Sequence, residues 1–176
     1  MKLLIVTLGL FLSVLSVDAQ QHPAFPDAFI GHWKGTLNWY RDGAPEPRKV
    51  DMELHIRPSK DSLHQYTWHI IYGKPSEDSR PYLLKAVDTA KGHWVIDEKN
   101  GIILDQYWKG GKFSGAFTVG GTTILNSYWL EDGYLHMEFY SYPAKAITTS
   151  GNGTEESPKV DSYHIRSYQQ AVLRRK

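Results

Sequence analysis

The side chains best suited to anchor a ligand lie in one short segment, Arg80-Pro81-Tyr82. An arginine guanidinium donates two parallel hydrogen bonds to a carboxylate, and a tyrosine hydroxyl can donate or accept a further one. The segment directly follows a loop that contains glycine, proline and serine, so both side chains are expected near the mouth of a cavity. We therefore predict that Arg80 and Tyr82 orient a small ligand. The alternative is that Arg80 is a solvated loop residue.

Histidines are the other candidates for chemistry, and the chain has eight of them. His55, His69, His93, His136 and His164 fall on predicted strands. Their spacing along the chain matches no metal motif, such as His-x-x-x-His on one helix face or His-Glu-x-x-His. We expect no metal and no cofactor, and an outward position for each histidine. Haem ligation by His164 is kept as an alternative.

Residues typical of catalysis are scarce. Asp97 and Glu98 are adjacent, and neighbouring residues of a strand point to opposite faces, so they cannot act together as acid and base. The sequence contains no cysteine, no Gly-x-Ser-x-Gly elbow and no phosphate-binding loop. A binding protein is therefore favoured over an enzyme. A lyase or isomerase, and a fully packed structural or interaction module, remain alternatives.

The first 19 residues have the pattern of a cleavable signal peptide. Met1-Lys2 precedes an apolar run from Leu3 to Val17, and small residues end at Ala19. The run is shorter than the roughly 20 residues that span a bilayer. We predict a signal peptide over residues 1–19, one domain over residues 20–176, a secreted or periplasmic location, and no stable membrane insertion after cleavage.

The overall charge is almost balanced, with 20 basic and 19 acidic residues. A chain so near neutrality is not expected to bind nucleic acid or an anionic membrane as its general partner. The absence of cysteine also excludes disulfides and an N-terminal lipid anchor on cysteine, so the hydrophobic core alone must stabilise the domain. A small hydrophobic molecule is the expected partner. The oligomeric state stays open.

The hydrophobic pattern predicts an all-β fold. Val50, Met52 and Leu54 alternate with polar residues, which is the period of a strand with one dry face. Glycine-containing turns recur about every 8 to 12 residues, as in barrels and sandwiches. We predict an antiparallel up-and-down meander that closes into a β-barrel. Its ten strands are 32–40, 49–57, 64–72, 81–88, 92–97, 101–108, 112–119, 122–130, 133–142 and 160–170.

Loop lengths predict which end of this barrel is open. In a meander, alternate loops lie at the same end, and the long loops, including 41–48 and 73–80, fall in one set. Segment 143–159 belongs to that set and is expected to be disordered rather than a lid. The predicted ligand-binding residues lie on the inner face or towards this end: Trp39, Met52, Ile70, Tyr72, Arg80, Tyr82, Phe117, Phe139 and Tyr163.

The segment Gly31-His32-Trp33-Lys34-Gly35 opens the first strand at the opposite end. It resembles the Gly-x-Trp signature of the calycin superfamily, the barrels that include lipocalins and fatty-acid-binding proteins. The resemblance implies a calycin-like barrel whose floor contains Gly31, Trp33 and Gly35. A basic residue of the last strand would pack over the tryptophan. Arg166 is assigned that role, with Arg174 and Arg175 further along the chain. The implied function is extracytoplasmic binding of a fatty-acid-, sterol- or aromatic-like molecule.

A second, looser similarity is to the nitrobindins, ten-stranded barrels that bind haem. They also open with Gly-x-Trp-x-Gly and carry their haem-ligating histidine in the final strand. His164-Ile165-Arg166-Ser167-Tyr168 is similar to that segment. This similarity underlies the haem alternative.

Overall fold

The computed structural model describes residues 24–60 and 62–176. The predicted signal peptide lies outside the described residues. Within these described ranges, two short 3-10 helices, Asp27–Phe29 and Thr89–Lys91, accompany twelve strands. No helix in the described part of the chain is long and apolar enough to cross a membrane. The strands are β1 Gly31–Arg41, β2 Arg48–Pro58, β3 Gln65–Tyr72, β4 Asp78–Asp88, β5 His93–Asp97, β6 Ile103–Lys109, β7 Lys112–Val119, β8 Thr122–Glu131, β9 Tyr134–Pro143, β10 Thr148–Ser150, β11 Val160–Ser162 and β12 Ser167–Arg175.

Ten of these strands form a closed antiparallel barrel. Strands β1 to β9 pair in sequence order, and β12 closes the barrel between β9 and β1. Closure leaves no exposed sheet edge in the barrel. The all-β class and the ten-stranded meander predicted from the sequence are confirmed. Strands β10 and β11 form a separate two-stranded hairpin within the connection from β9 to β12.

The alternating pattern of β2 shows how the sequence specifies the wall. Met52, Leu54 and Ile56 are completely buried, whereas Glu53 and His55 between them keep part of their side chains in solvent. Because the strand period is two, every second residue reaches the barrel interior. The interior is therefore built from one face of each strand.

The lower half of the barrel, which contains Trp33, is filled by buried side chains. Trp33, Trp68 and Phe113 are at most 1% exposed. The N-terminal 3-10 helix covers this end, because Phe29 is fully buried and its carbonyl oxygen accepts a 2.8 Å hydrogen bond from Trp33 Nε1. Phe25 stacks on Phe113 at a centroid distance of 4.5 Å. Trp33 thus lies at a closed end, where the sequence predicted a floor.

The glycines beside Trp33 allow β12 to approach closely. A Cβ atom at Gly35 would lie 2.4 Å from the carbonyl oxygen of Val172 and 2.9 Å from Leu173 Cδ2. Real Cβ atoms do not tolerate contacts this short, so the position requires glycine. A Cβ at Gly31 would lie 3.2 Å from Arg175 Nε. Both glycines therefore make room for the last strand and its arginine.

The last strand differs from the prediction. Strand 160–170 was expected, but residues 160–162 pair in the small hairpin and β12 runs from Ser167 to Arg175. Its register sets Trp33 opposite Arg175, not Arg166. Arg175 lies over the Trp33 ring at 4.5 Å and donates a 2.7 Å hydrogen bond to the Ala28 carbonyl oxygen. The role assigned to Arg166 was wrong, because the strand begins seven residues later than its polar sequence suggested.

The long connection between β9 and β12 is also more ordered than expected. Residues 148–150 pair with 160–162, and the turn between them closes with a 2.8 Å bond from the Gly153 amide to the Ser157 carbonyl oxygen. A Cβ at Gly151 would overlap the Pro158 carbonyl oxygen, so glycine is required there. The expectation of disorder was wrong since local hydrogen bonds order this segment.

Candidate functional site

The upper half of the barrel, at the end opposite Trp33, contains two cavities. An outer cavity of about 360 Å³ lies where β1 to β4 and β12 meet, below the loops that begin at Asp42 and Gly73. Its wall includes Trp39, Arg48, Tyr72, Arg80 and Gln169. Cavities that bind small molecules typically measure about 300–1,000 Å³. The outer cavity therefore falls at the compact end of that range.

A smaller inner cavity continues towards the packed half. It measures about 90 Å³ and shares Tyr72 and Arg80 with the outer cavity. Its wall is mainly apolar and aromatic, and it also contains two buried amides, Gln106 and Asn126. The lining also includes Ile70, Tyr82, Glu98, Phe117, Tyr128 and Phe139.

Trp39 carries an unsatisfied donor in the wall of the outer cavity. Its Nε1 is buried and has no hydrogen-bond partner among the described residues. The guanidinium carbons of Arg41 and Arg48 lie 4.9 and 5.9 Å from the centre of the Trp39 ring system. A buried donor without a partner costs about 1–3 kcal/mol. This N–H is covered by its neighbours, so an acceptor brought by a ligand would reach it once those side chains shift.

Arg80 is held by its neighbours. Its Nε and Nη2 each donate a 2.8 Å hydrogen bond to the two carboxylate oxygens of Asp78. Its guanidinium also lies 4.8 Å from the centre of the Tyr72 ring. The bond to Asp78 raises the pKa of Arg80. Because Asp78 already occupies this bidentate face, Arg80 presents a neutralised ion pair to the cavity and not a free carboxylate clamp.

The tyrosines around this pair stay protonated at neutral pH. Burial raises the pKa of Tyr72 to about 12, and Asp78 adds to the effect while Arg80 opposes it. Burial likewise raises the pKa of Tyr82, with a further contribution from Glu98. Both hydroxyls are therefore neutral hydrogen-bonding groups, suited to orienting a ligand and not to removing a proton from it.

Two amides form a polar pair in the inner cavity. Asn126 Nδ2 donates to Gln106 Oε1 at 3.1 Å, and Gln106 Nε2 donates to Asn126 Oδ1 at 3.4 Å. Gly115 on β7 provides the space, since a Cβ there would lie 2.3 Å from Gln106 Nε2. Sequence reasoning missed this pair. The available signal was a polar residue on the otherwise apolar face of β6 and of β8.

Seven of the nine residues predicted to bind a ligand line the two cavities: Trp39, Ile70, Tyr72, Arg80, Tyr82, Phe117 and Phe139. Met52 does not, because it is completely buried in the packed core. Tyr163 lies after β11 in the long connection, 43% exposed, and packs against Tyr142. Its removal from the set follows from the corrected boundary of the last strand.

His164 lies outside the barrel wall. It follows β11 in the connection to β12, and its Nε2 is 2.6 Å from Asp42 Oδ2. Nearly half of its side chain is exposed. His164 lines neither cavity. Its position therefore does not support haem binding inside the barrel.

The neighbouring carboxylates Asp97 and Glu98 lie apart, as predicted. Asp97 pairs on the outer wall with Lys85, at 2.5 Å between Oδ2 and Nζ. Glu98 lines the inner cavity. The carboxylates at the two cavities are Glu77, Asp78 and Glu98, of which Asp78 is committed to Arg80. The geometry favours binding over acid–base chemistry.

The residues placed to hold a metal ion lie elsewhere. Among the described residues, His32, Glu53 and His55 offer ligand atoms within 4.8 Å of one another. They lie on the outer wall, since the alternating residues Trp33 and Leu54 face the core. The expectation of no metal site rested on spacing along the chain and did not include neighbours across strands.

Comparison with known proteins gives a likeness of fold. No family model matches the chain, and no curated protein matches it. The chain is similar to a solved structure from Nostoc punctiforme PCC 73102, described as a protein of unknown function from the DUF3598 family, with a TM-score of 0.59 and 12% sequence identity. The match covers 85% of this chain and 48% of that one, so this chain spans about half its length. At this identity, the barrel fold is what the two chains share.

Proposed function

We propose that the protein is an extracytoplasmic, calycin-like barrel that binds a compact hydrophobic molecule in its hollow upper half. The ligand has an aromatic or cyclic apolar body and a neutral hydrogen-bond acceptor. The observation that carries the proposal is the unsatisfied Nε1 of Trp39 in the wall of the outer cavity. An acceptor from the ligand would satisfy this donor once the side chains that cover it shift.

The shape of the interior supports a compact ligand. The lower half is filled by Trp33, Trp68 and Phe113, which leaves the outer and inner cavities as the available space. Burial of the ligand's apolar body contributes about 25 cal/mol per Å². A long acyl chain would have to displace core side chains, so a ring system fits better than an extended fatty acid.

The charges support a neutral acceptor over a carboxylate. The guanidinium of Arg80 is already paired with Asp78, the charge of Arg48 is opposed by Glu77 in the outer cavity, and Glu98 adds a negative charge to the inner one. An anionic ligand would have to break the bidentate pair or enter beside these carboxylates. A neutral carbonyl, ether or hydroxyl group would enter without breaking the Arg80–Asp78 pair and without repulsion by the carboxylates.

A fluorescence titration with prodan tests the proposal. Prodan is a neutral naphthalene with a ketone acceptor, and its emission shifts to the blue in an apolar site. We expect binding by the wild-type protein. We expect affinity to fall about three- to tenfold in Trp39→Phe, because a neutral hydrogen bond contributes about 0.5–1.5 kcal/mol. Trp39→Phe keeps an aromatic ring and deletes the N–H.

The matched control is Trp129→Phe. Trp129 lies in β8, and its Nε1 donates to Glu131 at 3.3 Å in an exposed setting. This variant should bind prodan like the wild type. An absence of blue-shifted emission with wild-type protein would reject the cavity as a binding site. Equal losses in both variants, with unchanged thermal stability, would reject the role of Trp39.

A further inference from the structure

A cluster of three side chains lies on the outer wall of the barrel, away from both cavities. The β1–β2 register sets His32 directly opposite His55 and Lys34 opposite Glu53. Glu53 and His55 are two residues apart on one strand, so they share a face. His32, Glu53 and His55 are hereafter called the outer-wall triad.

The triad converges on one point. The Nε2 atoms of His32 and His55 lie 2.8 and 3.0 Å from the same oxygen, Glu53 Oε2. The two imidazole rings are 4.0 Å apart between centroids. Lys34 donates to the other oxygen, Oε1, at 2.8 Å. One carboxylate oxygen therefore faces two ring nitrogens, while the second oxygen is fixed by a lysine.

We propose that the outer-wall triad is a binding site for one divalent transition-metal ion of the Zn²⁺ class. Two imidazoles and one carboxylate form a ligand set that suits zinc, with a fourth position open to water. The Zn–N distance is about 2.0–2.1 Å, so the ligand atoms of a tetrahedral site lie roughly 3.4 Å apart. The two N–O contacts of 2.8 and 3.0 Å reach this spacing if they widen by roughly half an ångström, and all three ligand atoms already lie within 4.8 Å of one another.

Metal binding moves one proton on each imidazole and few side-chain atoms. Without the ion each Nε2 donates to Glu53 Oε2, and with the ion each neutral ring carries its proton on Nδ1 and presents the Nε2 lone pair. Lys34 can keep its bond to Oε1, which leaves Oε2 for the metal and holds the carboxylate in place as a second layer of contacts. The three side chains are 21–31% exposed, which leaves a route for the ion.

An ordinary ion-pair network is the competing explanation, and calorimetry separates the two. The protein is produced without a polyhistidine tag, treated with a chelator and titrated with ZnCl₂. We expect one strong site per chain in the wild type. His32→Gln and His55→Gln should each weaken binding at least about tenfold, because even changes in the supporting contacts of a metal site cost 10–100-fold.

The matched control is His93→Gln. His93 also pairs with a carboxylate across strands, at 2.7 Å from Asp105 Oδ1, but it is not part of the triad. This variant should bind Zn²⁺ like the wild type. Absence of a strong site in the wild type, or an equal loss in His93→Gln, would overturn the proposal. Should a triad variant fail to fold, Co²⁺ bound to the wild type gives the answer. Visible d–d bands of a low-coordinate imidazole site support it, and an octahedral spectrum contradicts it.

Discussion

Replacing Arg175 by alanine should destabilise the barrel more than replacing Arg166, although the sequence favoured Arg166. The Arg175 guanidinium lies 4.5 Å from the centre of the Trp33 ring system and donates to the Ala28 carbonyl oxygen at 2.7 Å. A cation–π contact at an exposed site contributes about 0.5–1 kcal/mol. A hydrogen bond from a charged group adds about 1.5 kcal/mol at the low end of its range. We therefore expect Arg175→Ala to lower the free energy of unfolding by about 2 kcal/mol.

The assay is urea unfolding followed by tryptophan fluorescence, with Arg166→Ala as the control. Arg166 makes no contact with Trp33, and its replacement should change stability by less than about 0.5 kcal/mol. Equal slopes with denaturant would show that both variants unfold in the same way as the wild type. The reasoning would be refuted if Arg175→Ala were as stable as the wild type, or if Arg166→Ala lost as much.

Three further predictions concern the packed core, the inner amides and the outer wall. Trp33→Ala should cost about 3–5 kcal/mol in urea unfolding, as large-to-small changes of buried aromatics do; a loss below 1 kcal/mol would contradict the packed floor. Gln106→Leu should lower the free energy of unfolding by about 1–3 kcal/mol, because it removes the amide partner of Asn126. In a double-mutant cycle with Asn126→Leu, the double variant should lose less than the sum of the two single losses; strict additivity would contradict the pair. Hydrogen bonds from Lys34 and His55 lower the pKa of Glu53 to about 2. The wild type should therefore have a higher free energy of unfolding than Glu53→Gln above pH 4.5, and this difference should disappear as the pH falls towards 2. A difference independent of pH would contradict this.

The closed end of the barrel could be predicted because its signals are local. Glycine on both sides of Trp33 indicates a close backbone approach, and alternation in β2 identifies the dry face without knowledge of its partner strands. Loop lengths then distinguish the two ends. The packing of Phe25 and Phe29 beneath Trp33 was missed, since a 3-10 helix of three residues leaves no periodic pattern.

The last strand could not be predicted from its own residues. Ala171 and Leu173 are the buried residues of β12, and the surrounding glutamines and arginines hide the alternation. The strand is identified by its pairing with β1 and β9, which is a long-range property. That single shift of boundary places Arg166, Tyr163 and His164 before β12, in the connection from β9.

The outer-wall triad was missed for a related reason. His32 and His55 are 23 residues apart, and no motif within one segment contains both. They meet because β1 and β2 pair in a register that sets them opposite each other. Metal motifs read along a helix have fixed spacing, whereas a site across two strands depends on the turn length between them.

The most direct test of the proposed binding function is native mass spectrometry of the wild-type protein purified from its own host. The outer and inner cavities predict one small organic molecule bound per chain, released by mild collisional activation and less abundant in Trp39→Phe. A spectrum that contains the polypeptide mass alone would contradict a barrel that holds a ligand and would favour a structural or interaction module.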